Sequence, residues 1–105
     1  MSITALIHTR NEAANLPDCL RSVAWADERV VADMASTDTT REIAAALGAR
    51  VIDMPWAPIV EPVRNLAIGQ CAGEWVLIVD ADERVSPKLA GQLRTLSQTD
   101  RKSVV

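Results

Sequence analysis

Two carboxylates one residue apart, Asp80 and Asp82, are the residues of this sequence best suited to chemistry. They directly follow Val76–Val79, an apolar run of the kind found in buried strands. Carboxylates this close together repel each other unless a cation or another partner lies between them. Mg²⁺ and Mn²⁺ prefer oxygen ligands and usually share them with phosphate groups. The pair therefore predicts a metal-bridged diphosphate; the alternative is that the end of a strand is simply polar.

Polar residues also follow two other apolar runs. Thr9–Glu12 come after Ile3–His8, and both Asp33 and Ser36–Asp38 come after Val30–Ala32. Parallel sheets bind ligands outside the carboxyl ends of their strands, so we expect these residues to share one site with the carboxylate pair. Asp33 has a second interpretation, as a residue that caps the following turn. The sequence contains neither a glycine-rich dinucleotide motif nor a P-loop.

Composition narrows the class of protein. The 105 residues suffice for one domain, and 49% hydrophobic with 24% charged residues is a globular composition. A net charge of −3 and the absence of Phe and Tyr argue against a nucleic-acid partner. No uncharged run is long enough to span a bilayer. Because Cys19 and Cys71 match neither a disulfide framework nor a metal-ligand spacing, we expect a reduced, cytoplasmic protein.

Four strand-like runs alternate with four helix-like segments along the chain. This alternation implies right-handed crossovers and a mostly parallel sheet with helices on both faces, which is an α/β, Rossmann-like, three-layer αβα fold. A central first strand gives the strand order 3-2-1-4, with a ligand-binding switch point between strands one and four. The predicted strands are Ile3–His8, Val30–Ala32, Val51–Ile52 and Trp75–Val79, and the predicted helices are Pro17–Ala24, a segment around Ile43–Leu47, Pro62–Cys71 and one that begins at Ser86-Pro87.

Local signals predict where several helices begin and end. Asn15 is expected to cap the first helix, and the spacing of Thr39 and Glu42 is that of a capping box. Gly48 is a natural residue to follow the end of the second helix. The segment Met54–Val60, with two prolines, is predicted to be a loop.

Leu89, Leu93 and Leu96 share one face of the last helix, and this apolar face is expected to lack cover within the chain. His8 ends a strand and has no evident second metal ligand, so it is interpreted as a structural histidine whose hydrogen bonds are satisfied.

Taken together, the polar motifs resemble the family-two glycosyltransferases of GT-A fold. The resemblance covers Ile3 to about Leu96, and its order, spacing and strand context all agree. Trp25–Glu28 and Pro55-Trp56 are similar to the subgroup that builds lipopolysaccharide core. The motifs that carry the resemblance are Thr9–Glu12, Val30–Asp33 with Ser36–Asp38, Arg64-Asn65 and Asp80–Arg84.

The resemblance implies an activity and a division of the chain. The activity is inverting transfer of a hexose from a nucleotide-diphosphate sugar, expected to be a UDP-sugar, to a glycan or lipopolysaccharide-core acceptor. Residues 1–97 would form the nucleotide-sugar-binding half of a GT-A fold. Residues 98–105 would be a polar tail or the start of the acceptor half. The base that deprotonates the acceptor hydroxyl is expected beyond Val105, so this chain would carry the donor site alone and be inactive by itself.

The resemblance also implies site residues. Asp33 would accept a hydrogen bond from the base, Arg64 would approach the nucleotide or its diphosphate, and Asp80 would lie near the ribose. Asp82, with Asp80, would hold Mg²⁺ or Mn²⁺. The nucleotide pocket would be lined by Thr9, Arg10, Asn11 and Glu12, with Glu12 near the base or ribose.

Two stretches depart from the family pattern. Met34-Ala35 stand where the family usually has Ser-Gly, and Ala35 does not freely adopt a positive φ. Pro58–Glu61 replace a glycine-rich loop before Arg64. These departures keep a second hypothesis open, a non-catalytic nucleotide-binding or interaction module of the same fold. A phosphatase of the haloacid-dehalogenase kind, suggested by Val79–Asp82, is a third, but that motif belongs on the first strand.

Partners and location complete the expectations. The acceptor, a glycan or a lipid-linked glycan, would not be bound by this part of the protein. An unpaired edge strand and an uncovered helix face favour a homo-oligomer. A lipid-linked acceptor would bring the protein to the inner face of the membrane as a peripheral protein.

Overall fold

Parallel strands form one sheet in the computed structural model, which describes residues 2–55, 60–96 and 103–104 and the side chains of 2–55 and 64–96. The strands lie in the order β3-β2-β1-β4-β5, and every neighbouring pair is parallel. This order confirms the predicted 3-2-1-4 arrangement and adds β5 beside β4. The strands are β1 (Ile3–Thr9), β2 (Glu28–Met34), β3 (Arg50–Met54), β4 (Trp75–Asp80) and β5 (Ser103–Val104).

Helices cover both faces of the sheet. The four helices are α1 (Leu16–Ser22), α2 (Thr40–Ala46), α3 (Val60–Gly69) and α4 (Pro87–Leu96). Side chains of α1, α2 and α4 pack with Ala5 and Ile7 of β1 in one hydrophobic cluster. Ala67 of α3 packs with Leu6 and Val76 in a second cluster on the opposite face. The predicted three-layer αβα architecture is therefore confirmed.

The central position of β1 follows from its composition. Ala5, Leu6 and Ile7 are fully buried, because successive side chains point to opposite faces and each face carries a helix layer. Gly73 leads into β4 past β1, and a Cβ atom on it would lie 2.6 Å from the backbone nitrogen of Thr4. Only glycine therefore allows this close approach of the two segments.

The predicted end of α2 is confirmed, and Thr39 is the N-cap residue as predicted, but the hydrogen bonds of the capping box are not made by its side chain. Gly48 has φ +86°, and its N–H donates to the carbonyl of Ala45 (3.1 Å), while the N–H of Ala49 donates to Ala44 (3.0 Å). This pair of bonds is a Schellman motif. At the start, the side chain of Thr39 makes no capping hydrogen bond.

Asp38 takes the place of the predicted capping box. Its carboxylate accepts hydrogen bonds from the backbone N–H of Thr40 (2.9 Å) and from the Thr40 hydroxyl. Asn15 is the residue before α1, as predicted, but its side chain donates to Glu12 (3.2 Å) and does not cap the helix. At the starts of α1 and α2, the hydrogen bonds of short polar side chains therefore differ from those that the local sequence pattern predicts.

The leucine face of α4 is largely uncovered in the described part of the chain, as expected. Leu93 packs against the core, but Leu89 is 42% and Leu96 46% exposed. The helix instead contacts the core through Ala90, which is buried and small enough to allow close approach. Of the described helices, none has the length and apolar character needed to cross a membrane.

Some boundaries fall outside the described residues. The predicted loop Met54–Val60 includes residues 56–59, and the predicted tail includes residues 98–102, which are not described. α3 begins at Val60, two residues before its predicted start, and Ser103–Val104, within the predicted tail, form β5. The division at residue 97 remains a prediction.

Candidate functional site

The loops after β1 and β2 are held together by hydrogen bonds to Asn11. This residue has φ 55°, and its side-chain oxygen accepts hydrogen bonds from the backbone N–H groups of Thr37 (2.7 Å) and Asp38 (3.3 Å). Its own N–H donates to the hydroxyl of Ser36 (2.8 Å). Asn and Asp are the non-glycine residues that best tolerate a positive φ, which explains the residue type. Asn11 thus fixes one end of the carboxyl edge of the sheet.

The carboxylate of Asp33 is fully buried and already has partners within the protein. One oxygen accepts hydrogen bonds from the hydroxyls of Thr9 (2.7 Å) and Ser36 (2.5 Å). The other accepts the backbone N–H of Ser36 (3.0 Å) and lies 3.7 Å from Nε of Arg41. The bonds to Ser36 fit the interpretation of Asp33 as the residue that caps this turn. Its contact with a base stays a prediction, and that contact would require the fully buried carboxylate to become accessible.

Ala35 adopts the conformation that the sequence predicted to be unfavourable. Its φ is 52°, in the left-handed region, although it has a Cβ atom. Beside it, the exposed side chain of Arg10 donates a hydrogen bond to the carbonyl of Met34 (3.1 Å). The half-buried Glu12 accepts the side-chain amide of Asn15 and donates its N–H to Thr40 (3.0 Å). The predicted nucleotide-pocket residues 9–12 therefore lie at the carboxyl edge, and their contact with a nucleotide stays a prediction.

The chain turns sharply after β4 and exposes two carboxylates. The N–H of Glu83 donates to the carbonyl of Asp80 (2.9 Å), and the N–H of Asp80 donates to the side chain of Glu83 (2.8 Å). Buried Ala81 and Val85 anchor the turn in the core. Asp80 and Asp82 are exposed, and in the described part of the chain no hydrogen bond or ion pair reaches either carboxylate.

This donor set fits a hard divalent cation with further ligands from elsewhere. Across the described ranges, no group of three or more His, Cys, Asp or Glu residues is placed to hold a metal ion. Two carboxylates are nevertheless what Mg²⁺ or Mn²⁺ needs when phosphate and water supply the other oxygens. Beneath the turn, the thiol of Cys19 lies 3.6 Å from the carbonyl of Asp80, and burial raises its pKa to about 11. Cys19 is therefore a neutral packing residue, as predicted.

His8 and Arg64 meet on the α3 face of the sheet. His8 is opposite Asp80 in the register of β1 with β4 and shares its face with Leu6. Burial and the nearby Arg64 guanidinium lower the pKa of His8, while the Asp80 carboxylate acts in the opposite direction. Both ring nitrogens of His8 and Nε of Arg64 are buried and have no hydrogen-bond partner among the described residues.

The prediction that His8 is a satisfied structural histidine is therefore wrong. A polar residue at the end of the otherwise apolar run Ile3–Ile7 was the signal that could have drawn attention to it. Its partners could not be judged from the sequence, because they depend on the packing of α3 against β1. Arg64 lies inside a helix, as predicted, and is half-buried.

The comparisons with known proteins agree with this arrangement. Residues 4–105 match the family described as Glycosyl transferase family 2. An uncharacterized glycosyltransferase of Rickettsia felis is 41% identical over 92 residues, which are 87% of this chain and 32% of that protein. The lipopolysaccharide core biosynthesis glycosyltransferase LpsC of Rhizobium meliloti is 37% identical over 98 residues, 85% of this chain and 34% of that protein. The chain thus spans about a third of these relatives.

Solved structures share the fold. Residues 1–349 of TarS from S. aureus superpose with a TM-score of 0.78 and 27% identity, covering 90% of this chain and 32% of that one. Glucosyl-3-phosphoglycerate synthase from Mycobacterium tuberculosis, in complex with Mn²⁺, UDP and glucosyl-3-phosphoglycerate, gives a TM-score of 0.67 and 26% identity over 76% of this chain and 33% of that one. The fold, the family match and the relatives agree, and the chain belongs to glycosyltransferase family 2.

Proposed function

We propose that this chain is the nucleotide-sugar-binding part of an inverting glycosyltransferase. The donor would be a UDP-hexose, and the acceptor a glycan of the lipopolysaccharide-core type. The observation that carries the proposal is the pair of exposed carboxylates, Asp80 and Asp82, at the switch point between β1 and β4. The Mn²⁺ and UDP in the structure of glucosyl-3-phosphoglycerate synthase, a structurally similar protein, support the choice of donor, and the similarity to LpsC supports the choice of acceptor.

Asp82, with Asp80, would hold Mg²⁺ or Mn²⁺ against the diphosphate of the donor. When bound, such an ion offsets the negative charge that develops on the departing nucleoside diphosphate. The side chains of these aspartates are exposed and are not drawn into bonds with the turn, since Glu83 supplies the carboxylate that the turn itself needs. The protein therefore leaves two oxygen donors available where a diphosphate would lie.

Transfer itself requires a second substrate and a base. In an inverting reaction the acceptor hydroxyl attacks the anomeric carbon as the bond to the diphosphate oxygen breaks, and a carboxylate takes the hydroxyl proton. The role of this chain is to bind and orient the donor for that attack. A non-catalytic nucleotide-binding module is the second candidate, favoured by the saturated hydrogen bonding of Asp33. Sugar transfer by the purified 105-residue chain would exclude that candidate.

Calorimetric titration of UDP, with Mn²⁺ and then with a chelator, tests the proposal. We expect UDP binding to require the metal. We expect the Asp82→Asn variant to have a UDP affinity at least about tenfold lower than the wild type, because one of the two protein ligands of the metal is lost. Glu74→Gln is the matched control, since it removes one negative charge at the opposite end of β4, where Glu74 is exposed. Equal UDP binding by Asp82→Asn and the wild type would refute the assignment of Asp82.

A further inference from the structure

Three buried nitrogen atoms on the α3 face have no partner in the described part of the chain. They are Nδ1 and Nε2 of His8 and Nε of Arg64. Buried polar atoms are nearly always hydrogen-bonded in folded proteins, so a cluster of exceptions calls for a ligand or for water. Ala67 of α3 packs with Leu6 of β1; Arg64 is one helical turn before Ala67, and His8 follows Leu6 on the same face of β1, so the two side chains lie on the same part of this face.

This cluster adjoins the candidate donor site. His8 is the penultimate residue of β1, and its register partner on β4 is Asp80. The cluster is therefore at the carboxyl edge, at the same switch point as the two exposed carboxylates. A nucleotide with its diphosphate near Asp82 could extend its ribose and base along this edge.

Unused hydrogen-bonding capacity is unevenly distributed at this edge. Asp33, the other candidate for base recognition, already accepts hydrogen bonds from Thr9 and Ser36 and is fully buried. Among the described residues, the ring nitrogens of His8 and Nε of Arg64 have no hydrogen-bond partner. Base recognition would satisfy ring nitrogens of His8 that have no partner among the described residues, whereas Asp33 already accepts three hydrogen bonds.

The types of group select one kind of ligand. A neutral imidazole offers one donor and one acceptor, and Nε of Arg64 offers a donor. A phosphate accepts only, so it would leave the imidazole acceptor unpaired. The imide edge of uracil presents a carbonyl, an N–H and a second carbonyl in turn. Nε–H of Arg64 could donate to a carbonyl of this edge, and the unprotonated nitrogen of His8 could accept the N–H. Cytosine presents an amino donor where uracil has a carbonyl, so it places a donor against a donor.

We propose that His8, beside Arg64, recognises the imide edge of the donor's base and sets a preference for uracil over cytosine. This inference rests on the proposed function, because it requires a nucleotide at the carboxyl edge. His8 is half-buried, and rotation of its ring about the Cβ–Cγ bond presents either nitrogen to a ligand. His8 is in this role a specificity residue and takes no part in bond breaking.

The test compares His8→Phe with the wild type in titrations of UDP, CDP and inorganic pyrophosphate, each with Mn²⁺. Phe keeps the ring and removes both nitrogens. We expect UDP affinity to fall about three- to tenfold, the value of one hydrogen bond, and the preference for UDP over CDP to disappear. Pyrophosphate affinity should not change. The ligand-free variant should unfold at the same temperature as the wild type or higher, because the unpaired nitrogens are gone.

Two further variants complete the design. His8→Gln retains one donor and one acceptor and should recover most of the preference for UDP, and it serves if His8→Phe does not fold. Leu66→Ala is the matched control on α3, since Leu66 is 60% exposed, and it should bind UDP as the wild type does.

The outcomes separate this inference from the proposed function. Equal UDP and CDP discrimination by His8→Phe and the wild type overturns the role of His8 and leaves metal-dependent UDP binding intact. A parallel fall in pyrophosphate affinity also overturns it, because His8 would then act on the phosphates. Failure of the wild type to bind any nucleotide overturns the proposed function itself.

Discussion

Ala35 stores backbone strain at the candidate site, and glycine should relieve it. The residue has φ 52° and is exposed, so its Cβ contributes strain without contributing to the core. A left-handed conformation costs a non-glycine residue about 1–2 kcal/mol. Glycine avoids that cost but loses roughly 0.5–1 kcal/mol through the greater freedom of the unfolded chain. We therefore expect Ala35→Gly to raise the free energy of unfolding by about 0.5–1 kcal/mol.

Thermal and urea unfolding measure this effect. For a domain of about 100 residues, the expected gain is an increase in Tm of about 2–8 °C. The same substitution at Ala45, which is exposed within α2, is the control. Ala45→Gly should lower the free energy of unfolding by about 1 kcal/mol, because it places glycine in a helix. Opposite signs at the two positions would show that the backbone conformation, and not the loss of a methyl group, decides the result.

A loss of stability in Ala35→Gly similar to that in Ala45→Gly would refute the reasoning. The turn after β2 would then not hold its left-handed conformation in solution. The bonds from Ser36 to Asp33 depend on that turn, so the same result would also remove the structural reason for treating Asp33 as already satisfied.

Two more changes test the packing that positions the site. Gly73→Ala should lower the free energy of unfolding by about 2 kcal/mol or more, because the new Cβ atom would lie 2.6 Å from the backbone nitrogen of Thr4. Urea unfolding measures this change. A loss below about 0.5 kcal/mol would contradict the close approach of the two segments. Burial raises the pKa of Cys19 to about 11 from 9.0, so the folded state holds this proton more tightly than the unfolded state, and stability present below about pH 9 should decline as the pH rises toward 11. Cys19→Ala should show a shallower decline in unfolding free energy over that range, and equal slopes would mean that the thiol does not contribute.

The sequence predicted the layers of the fold better than its local contacts. Apolar runs such as Trp75–Val79 can be buried in one way only, between helix layers, so strand order and the position of β1 could be inferred from pattern and connection rules. Gly48 was predictable for a similar reason, since its position after α2 demands one conformation. In contrast, the capping hydrogen bond at the start of α2 is made by Asp38 and not by Thr39, because two neighbouring polar side chains compete for the same backbone N–H groups.

The site residues divide along the same line. The exposure of Asp80 and Asp82 follows from their place at the end of a buried strand, and the sequence shows that place directly. The saturation of Asp33 does not, because it depends on Thr9, which is 24 residues away in sequence and lies beside it only in the sheet. The unpaired nitrogens of His8 depend in the same way on α3, which the sequence places only approximately.

These differences concentrate the available polar groups on one side of β1. Toward β2, the loops after β1 and β2 form hydrogen bonds with each other, through Asn11 and Asp33. Toward β4, the carboxylate of Asp82 is exposed, and the imidazole nitrogens of His8 have no hydrogen-bond partner in the described part of the chain. Preorganised groups with unused capacity bind a ligand at the least cost in broken protein bonds. A nucleotide donor should therefore lie over the junction of β1 and β4, with the β2 loops supporting its pocket.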